Sequence, residues 1–194
     1  NSVLASLVYN NMDQDPDTSD RTVTVTCDDA SGDSATQTSL PSVSTITVTP
    51  VNDEPSVDLN GDGSGVDDST VFTEGTGPVP ITTDDVTVSD VDSPTLTSCT
   101  ATLASMPDGT DESLSILLAP STVATAYSTA TGILTLSGPA SVEDFETALE
   151  TLEYDNASQD PTVSDRTVVV VCTDDSGDSS TPAQISVEIV PVNN

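Results

Sequence analysis

The sequence predicts an all-β protein: β-sandwich repeats in tandem, with one short helix per repeat. Three observations lead there. Apolar and polar residues alternate with period two through many short runs, as strands with one buried face require. Turn signals rich in Gly, Asp and Asn separate those runs: NGDG, TGP, MPDGTD, ATG and DDSGDS. The chain also repeats itself.

The repeat sets the domain organisation. LVYNNMDQDPDTSDRTVTVTCDDASGDS begins at Leu7, and LEYDNASQDPTVSDRTVVVVCTDDSGDS begins at Leu152. Tyr9 falls on Tyr154, Asn11 on Asn156, Arg21 on Arg166 and Cys27 on Cys172, always 145 positions apart. TITVTPVND, ending at Asp53, matches SVEIVPVNN, ending at Asn194, once the loop between the motifs shortens by four residues. Residues 54–194 are therefore expected to be one complete repeat, and residues 1–53 the C-terminal third of another. A piece of about 50 residues cannot bury a whole core. The expectation is that residues or a copy outside this sequence complete it.

Individual elements follow from the alternation. Val23, Val25 and Cys27 share one strand face, with Thr22, Thr24 and Thr26 on the other. Ile46 and Val48 alternate with Thr45, Thr47 and Thr49. In the complete repeat, strands are expected near 69–73, 78–82, 85–89, 96–104, 113–118, 123–127, 132–137, 166–173 and 184–190. One helix interrupts them: Ser141 can cap SVEDFETALETL, acidic residues fill the first turn, and Phe145, Leu149 and Leu152 share a face. Thr24 and Thr26 become Val169 and Val171, an outward pair that a loop or a neighbour in a fibre would cover.

Charge excludes whole classes of function. The chain has 194 residues, 33 acidic side chains, two arginines, and neither lysine nor histidine, for a net charge of -31. Nothing here neutralises phosphates, so a nucleic-acid partner is not expected, nor attraction to anionic lipid. Acid–base and Schiff-base catalysis lack their usual agents, and the expectation is a non-enzyme. No apolar run reaches bilayer length and no signal-peptide pattern is present, so membrane insertion is not expected. Leu, Val, Ile and Phe make up about 23% of the chain, just above the roughly 20% that marks disorder. A folded β protein results, provided something quenches the carboxylate repulsion.

The three cysteines divide according to the repeat. Cys99 and Cys172 lie on predicted strands of one repeat and can be bridged, with buried free thiols as the alternative. Cys27 copies Cys172, so its partner would lie outside this sequence. A bridge implies an oxidising, extracellular compartment. Arg21 and Arg166 stand in register immediately after Asp20 and Asp165, placed to tie loop carbonyls and carboxylates together with a rigid five-donor fork.

Carboxylates cluster in three places. The linker Pro50-Val51-Asn52-Asp53-Glu54-Pro55 crowds oxygen ligands between two prolines. Asp58, Asn60 and Asp62 alternate ahead of Gly63, as at the start of a calcium loop, although the twelfth position is Ser69 rather than Glu. Asp90 and Asp92 form a third group with Asp84 and Asp85 nearby. Hard oxygen ligands without histidine or thiolate select Ca²⁺; solvated turns are the alternative. Glycans are the other expected decoration. Asn156-Ala157-Ser158 is a sequon, and roughly three residues in ten are Ser or Thr.

PVNDEP, FTEG at 72–75, SDVDS at 89–93, the two SDR steps, DDSGDS and the long stretch TATGILTLSGPASVEDFETALETLEYDNAS together resemble the cadherin-like tandem repeats of large bacterial and algal surface adhesins. That resemblance implies immunoglobulin- or cadherin-like sandwiches strung end to end, with Ca²⁺ rigidifying the junctions. It would make Glu74 the N-terminal acidic ligand, Asp20 and Asp165 the Asp before Arg, Asn52 and Asp53 the linker ligands, and Asp90 with Asp92 the pair from the following domain. The chain departs from the pattern where Thr22 and Thr167 replace an acidic residue, and where Asn194 stands at the place of Asp53. The implied function is a structural repeat of an extracellular filament, its partners being copies or adjacent repeats. A Ca²⁺-dependent adhesin module that binds a glycan is the alternative.

Overall fold

The computed structural model describes residues 6–29, 38–61 and 63–193. The chain forms two compact units, Asn1–Val51 and Asn52–Asn194. Among the described residues no helix is long and apolar enough to cross a membrane.

The first unit is a hairpin of β1 (Arg21–Val25) and β2 (Ser42–Ile46), antiparallel with Arg21 opposite Ile46. The second unit contains β3 (Ser56–Asp58), β4 (Asp68–Thr73), β5 (Val79–Pro80), β6 (Thr87–Ser89), β7 (Thr95–Leu103), β8 (Glu112–Ile116), β9 (Ala124–Ser128), β10 (Ile133–Ser141), α1 (Val142–Leu149), β11 (Leu152–Asn156), β12 (Arg166–Asp174) and β13 (Ala183–Val190). A six-stranded sheet runs β4-β13-β12-β7-β10-β9, a three-stranded sheet β5-β11-β8, and a ribbon β3-β6. Their inner faces enclose one apolar core in the second unit, in which Phe72 of β4 meets Tyr154 of β11 edge to face at 5.2 Å. The fold is a β-sandwich.

Hydrogen-bond register in the two units matches the sequence repeat. Arg21 pairs Ile46 where Arg166 pairs Val187, and Thr22 pairs Thr45 where Thr167 pairs Ser186. The Ser39 amide donates to the Cys27 carbonyl at 2.7 Å, as the Ser180 amide does to that of Cys172 at 2.8 Å. The Ser39 hydroxyl accepts from the Cys27 amide at 2.9 Å, and the Ser180 hydroxyl from the Cys172 amide at 3.1 Å. The four-residue difference therefore falls between the cysteine and the serine, which are 12 positions apart in the first unit and 8 in the second.

Several expectations are revised. Ser141 caps α1, its hydroxyl accepting from the Asp144 amide at 3.1 Å, but the helix ends at Leu149. Leu152 opens β11 instead of continuing the helical face, because Leu152, Tyr154 and Asn156 alternate inward with period two. Thr82 fixes the switch: its hydroxyl donates to the Leu149 carbonyl at 2.6 Å and accepts from the Leu152 amide at 3.2 Å. β3 was not expected, and β5 is two residues long where five were expected. β10 bulges between Ser137 and Ala140, around a cis Gly138-Pro139 bond. A Cβ on Gly138 would lie 2.6 Å from the Ala140 nitrogen and 2.8 Å from the Leu96 carbonyl, so only glycine fits that approach. Val169 and Val171 lie half-buried on the outer face of β12, opposite Gln184 and Thr100 respectively.

Two covalent and ionic ties hold the sandwich. Cys99 and Cys172, directly opposed on β7 and β12, are disulfide-bonded with Cα atoms 4.0 Å apart. Arg166 is fully buried at the start of β12. Its Nε donates to Glu112 Oε2 at 2.8 Å and its Nη2 to Asp108 Oδ2 at 2.7 Å. Its Nη1 donates to the carbonyls of Thr162, at 3.1 Å, and Ser164. Tyr154 donates to Glu112 Oε2 at 3.0 Å, Asn156 Nδ2 to Asp108 Oδ2 at 2.8 Å, and the Thr162 hydroxyl to Asp108 Oδ1 at 2.7 Å.

The electrostatics follow from that geometry. Burial alone would lower the Arg166 pKa; the hydrogen bond and charge of Glu112 outweigh it and raise it. Burial opposes ionisation of Asp108, yet donations from Thr162 and Asn156 and the Arg166 charge hold its pKa below 3.8. Burial and the Glu112 carboxylate push the Tyr154 phenol up.

The network also takes in the asparagine of the sequon. Asn156 is 3% exposed and its amide nitrogen is committed to Asp108, so the folded domain has no room for a glycan there. A sequon marks a surface asparagine only where the fold leaves it outside.

Glu112→Ala would leave the buried guanidinium without its charge partner. Chemical denaturation should show a loss of about 3–5 kcal/mol, and a loss below ~1 kcal/mol would remove this pair as an anchor. Asp108 has a depressed folded pKa, so its contribution is complete above the unfolded value of 3.8 and fades as pH falls through the folded one. Stability measured below pH 3.8 should therefore drop less steeply in Asp108→Asn than in the parent, after each is normalised to neutral pH.

Candidate functional site

The acidic residues of the linker, the Asp-Val-Asp loop and the β12–β13 hairpin converge at one end of the second unit. Each arrives for a local reason. The linker enters through Asn52 and Asp53 just before buried Pro55. The loop after β6 turns at Asp90, whose Oδ1 accepts from the amides of Asp92 at 3.2 Å and Ser93 at 2.9 Å. At the hairpin tip, Asp174 Oδ1 accepts from the amides of Ser176, Gly177 and Asp178 at 2.9, 2.6 and 2.9 Å. Aspartate suits both turns because its carboxylate reaches its own following amides.

Contacts between the three segments are polar. Asn52 Nδ2 donates to Asp174 Oδ2 at 2.7 Å and to Asp178 Oδ2 at 2.9 Å. The Asp53 amide approaches both oxygens of Asp92, at 3.4 and 3.3 Å. Ser93 donates its hydroxyl proton to Asp175 Oδ1 at 3.1 Å, joining the loop to the hairpin. One oxygen stands apart: Asp90 Oδ2 is buried and has no hydrogen-bond partner. Burial, with the Asp92 carboxylate next door, pushes the Asp90 carboxyl above its ordinary value despite the two amide donations. Asp174 is driven the other way. Burial opposes its ionisation, but the Asn52 amide and the three backbone N–H groups lower its pKa.

This arrangement has the donor chemistry of a hard-cation site. All its side-chain ligands are oxygens except one, the Asn52 nitrogen, which lies between two carboxylates where positive charge is wanted. The amide's nitrogen and oxygen exchange places by a half-turn. In the exchanged orientation Asn52 Oδ1 would join the Asp174 and Asp178 carboxylates as a ligand. Among the described residues, no three Asp, Glu, Cys or His side chains already form a metal cage.

The other candidate residues are distributed as follows. Asp20 belongs to the first unit and is exposed beside Arg21. Asp58 Oδ1 accepts from the Asn60 amide at 3.0 Å, and Asn60 Nδ2 donates to the Asp67 carbonyl at 2.7 Å, so both serve the loop itself. Asn60 Oδ1 is buried without a partner. Asp62 lies outside the described residues, as does Asn194. Glu74 is 7% exposed and accepts from the Val192 amide at 2.8 Å, in a pocket of about 380 Å³ shared with Asp160 and Asn193. Asp165 is exposed beside Arg166. Sequence reasoning missed Asp174 and Asp178. The similar turns DDASGDS and DDSGDS end the equivalent strands of both repeats, but turn composition explains them without any reference to the linker.

No protein-family model matches the chain, and no curated protein matches it. Similar solved structures include Drosophila N-cadherin EC1-3, at 14% identity and a TM-score of 0.32, covering 90% of this chain and 44% of that one. The C-terminal domain of the Streptococcus pyogenes antigen I/II-family protein AspA is similar at 11% identity and a TM-score of 0.33, over 76% of this chain and 49% of that one. Drosophila N-cadherin EC1-4 follows at 12% identity and a TM-score of 0.25, over 91% and 34%. The chain spans less than half the length of each of these structures.

Proposed function

We propose that the chain is a structural segment of an extracellular tandem-repeat protein, assembled end to end as a filament or surface appendage and stiffened by Ca²⁺ and disulfides. Its role is mechanical and non-catalytic. The observation that carries the reading is the convergence of Asn52, Asp53, Asp90, Asp92, Asp174 and Asp178, with a buried unpaired carboxylate oxygen on Asp90. Ca²⁺ takes six to eight oxygen ligands in a flexible geometry and tolerates such a mixed set. These residues would hold it, with Asn52 presenting its oxygen. Bound there, the cation supplies positive charge that neutralises adjacent carboxylates and locks the linker to the loop and hairpin.

The cross-strand Cys99–Cys172 bond supports an oxidising compartment. The recurrence of the β1–β2 register in β12–β13 supports a repeat architecture. Glycans, if carried, belong on the exposed hydroxyls of Ser and Thr, since Asn156 is buried.

Thermal unfolding in Ca²⁺ and in chelator tests the proposal. At a hundredfold excess over Kd, Ca²⁺ should raise Tm by about 5–10 °C. Asp92→Asn should diminish the shift with little effect in chelator, because the Asp53 amide contacts to Asp92 are long, at 3.4 and 3.3 Å. Identical melting in Ca²⁺ and chelator would defeat the calcium assignment.

A further inference from the structure

The inward face of the β1–β2 hairpin is an unfilled half of a core. Val23 and Val25 correspond to Val168 and Val170, and Ile46 to Val187, all fully buried in the second unit. Leu7 is 62% exposed and Tyr9 44%, whereas their counterparts Leu152 and Tyr154 are 0% exposed. Leu7, Tyr9, Val23, Val25 and Ile46 line a groove of about 720 Å³ within the first unit.

The second unit records what covers such a face. β7 pairs antiparallel along β12 with Cys99 opposite Cys172, β4 runs along β13, and Phe72 stands edge-on to Tyr154. In the first unit Cys27, at the place of Cys172, is an exposed free thiol. Arg21 donates to the carbonyls of Asp17, at 3.0 Å, and Ser19, as Arg166 does to those of Thr162 and Ser164. The local half of the arginine clip is therefore present, with the Asp17 carboxylate 3.4 Å from Nη1 where Arg166 has Glu112 and Asp108.

We propose that the first unit is the acceptor for the complementary half of a repeat of this same type. That partner is a polypeptide with the pattern of residues 54–151, whose β7-like strand adds antiparallel to β1 and whose cysteine bonds to Cys27. A second copy of this chain does not meet the need. Among the described residues the half present, with β4 and β7, is already closed on β13 and β12. The bond forms from two thiols. Two protons and two electrons pass to a disulfide oxidant such as oxidised glutathione, which leaves as two thiols. The inference deepens the repeat reading by naming the partner; it does not depend on calcium.

The test is a chain carrying its own residues 54–151 immediately ahead of Leu7, so that Thr151 precedes Leu7 as it naturally precedes Leu152. It is refolded in a glutathione redox buffer, with and without Ca²⁺. Non-reducing peptide mapping should find Cys27 bonded to the added copy of Cys99, and Cys27 should resist iodoacetamide, while the 194-residue chain is alkylated readily. Amide exchange at Val23 and Val25 should slow by about tenfold or more, and should stay slow in a Cys27→Ser version of the extended chain. Cys27 equally reactive in both chains overturns the bond. Exchange unchanged in both calcium conditions overturns the docking. Protection without any calcium effect on melting would support this inference while defeating the calcium proposal, so the two fail separately.

Discussion

A single buried guanidinium organises the second unit. Arg166 has no solvent to return to, and every arm of its fork is satisfied: Glu112 at Nε, Asp108 at Nη2, and two carbonyls of the 162–164 segment at Nη1. Those partners come from the start of β8, the turn before it and the loop between β11 and β12. Taking the charges out of water costs several kcal/mol per ion, so the site is favourable only when all donors and acceptors meet. That requirement couples two sheets that share no backbone ladder. Tyr154 and Asn156 extend the coupling into β11, so the polar cluster and the Phe72–Tyr154 contact are parts of one assembly.

The rest of the charge is handled by separation. With 33 acidic residues against two arginines, most carboxylates have no cation to meet. Many are placed in turns, where their own backbone amides serve as partners, as at Asp58, Asp90 and Asp174. Asp174 shows how far this goes: three amides and the Asn52 side chain stabilise a carboxylate that burial disfavours. Asp90 lacks that fourth donor on its second oxygen, and its pKa moves upward. Two aspartates of one cluster, Asp174 fully buried and Asp90 half-buried with one buried oxygen, thus differ in how well their own surroundings satisfy them.

The two hairpins show that a strand pair can hold its register without holding a core. β1–β2 and β12–β13 share their pairing, their serine clasp and their arginine clip. Local hydrogen bonds define these features, and local sequence carries them. Burial is different, because it needs surfaces contributed from far along a chain. The equivalent tyrosines therefore differ, Tyr9 being 44% exposed and Tyr154 fully buried.

The sequence by itself determined the fold class, the repeat offset, most strand positions and the serine cap of the helix. Each of these is a short-range or periodic property, readable from alternation, turn residues and self-similarity. It misjudged the end of α1, because Leu149 and Leu152 satisfy a helical spacing and a strand start equally well. Only the tertiary structure decided that a Thr82 hydroxyl divides them. It alone placed Asn156 inside a salt-bridge network, and it joined Asp174 and Asp178 to a linker more than a hundred residues away in the chain. Such pairings depend on which strands become neighbours in a sheet, a choice made by burying the whole apolar face at once and not recorded at any single position.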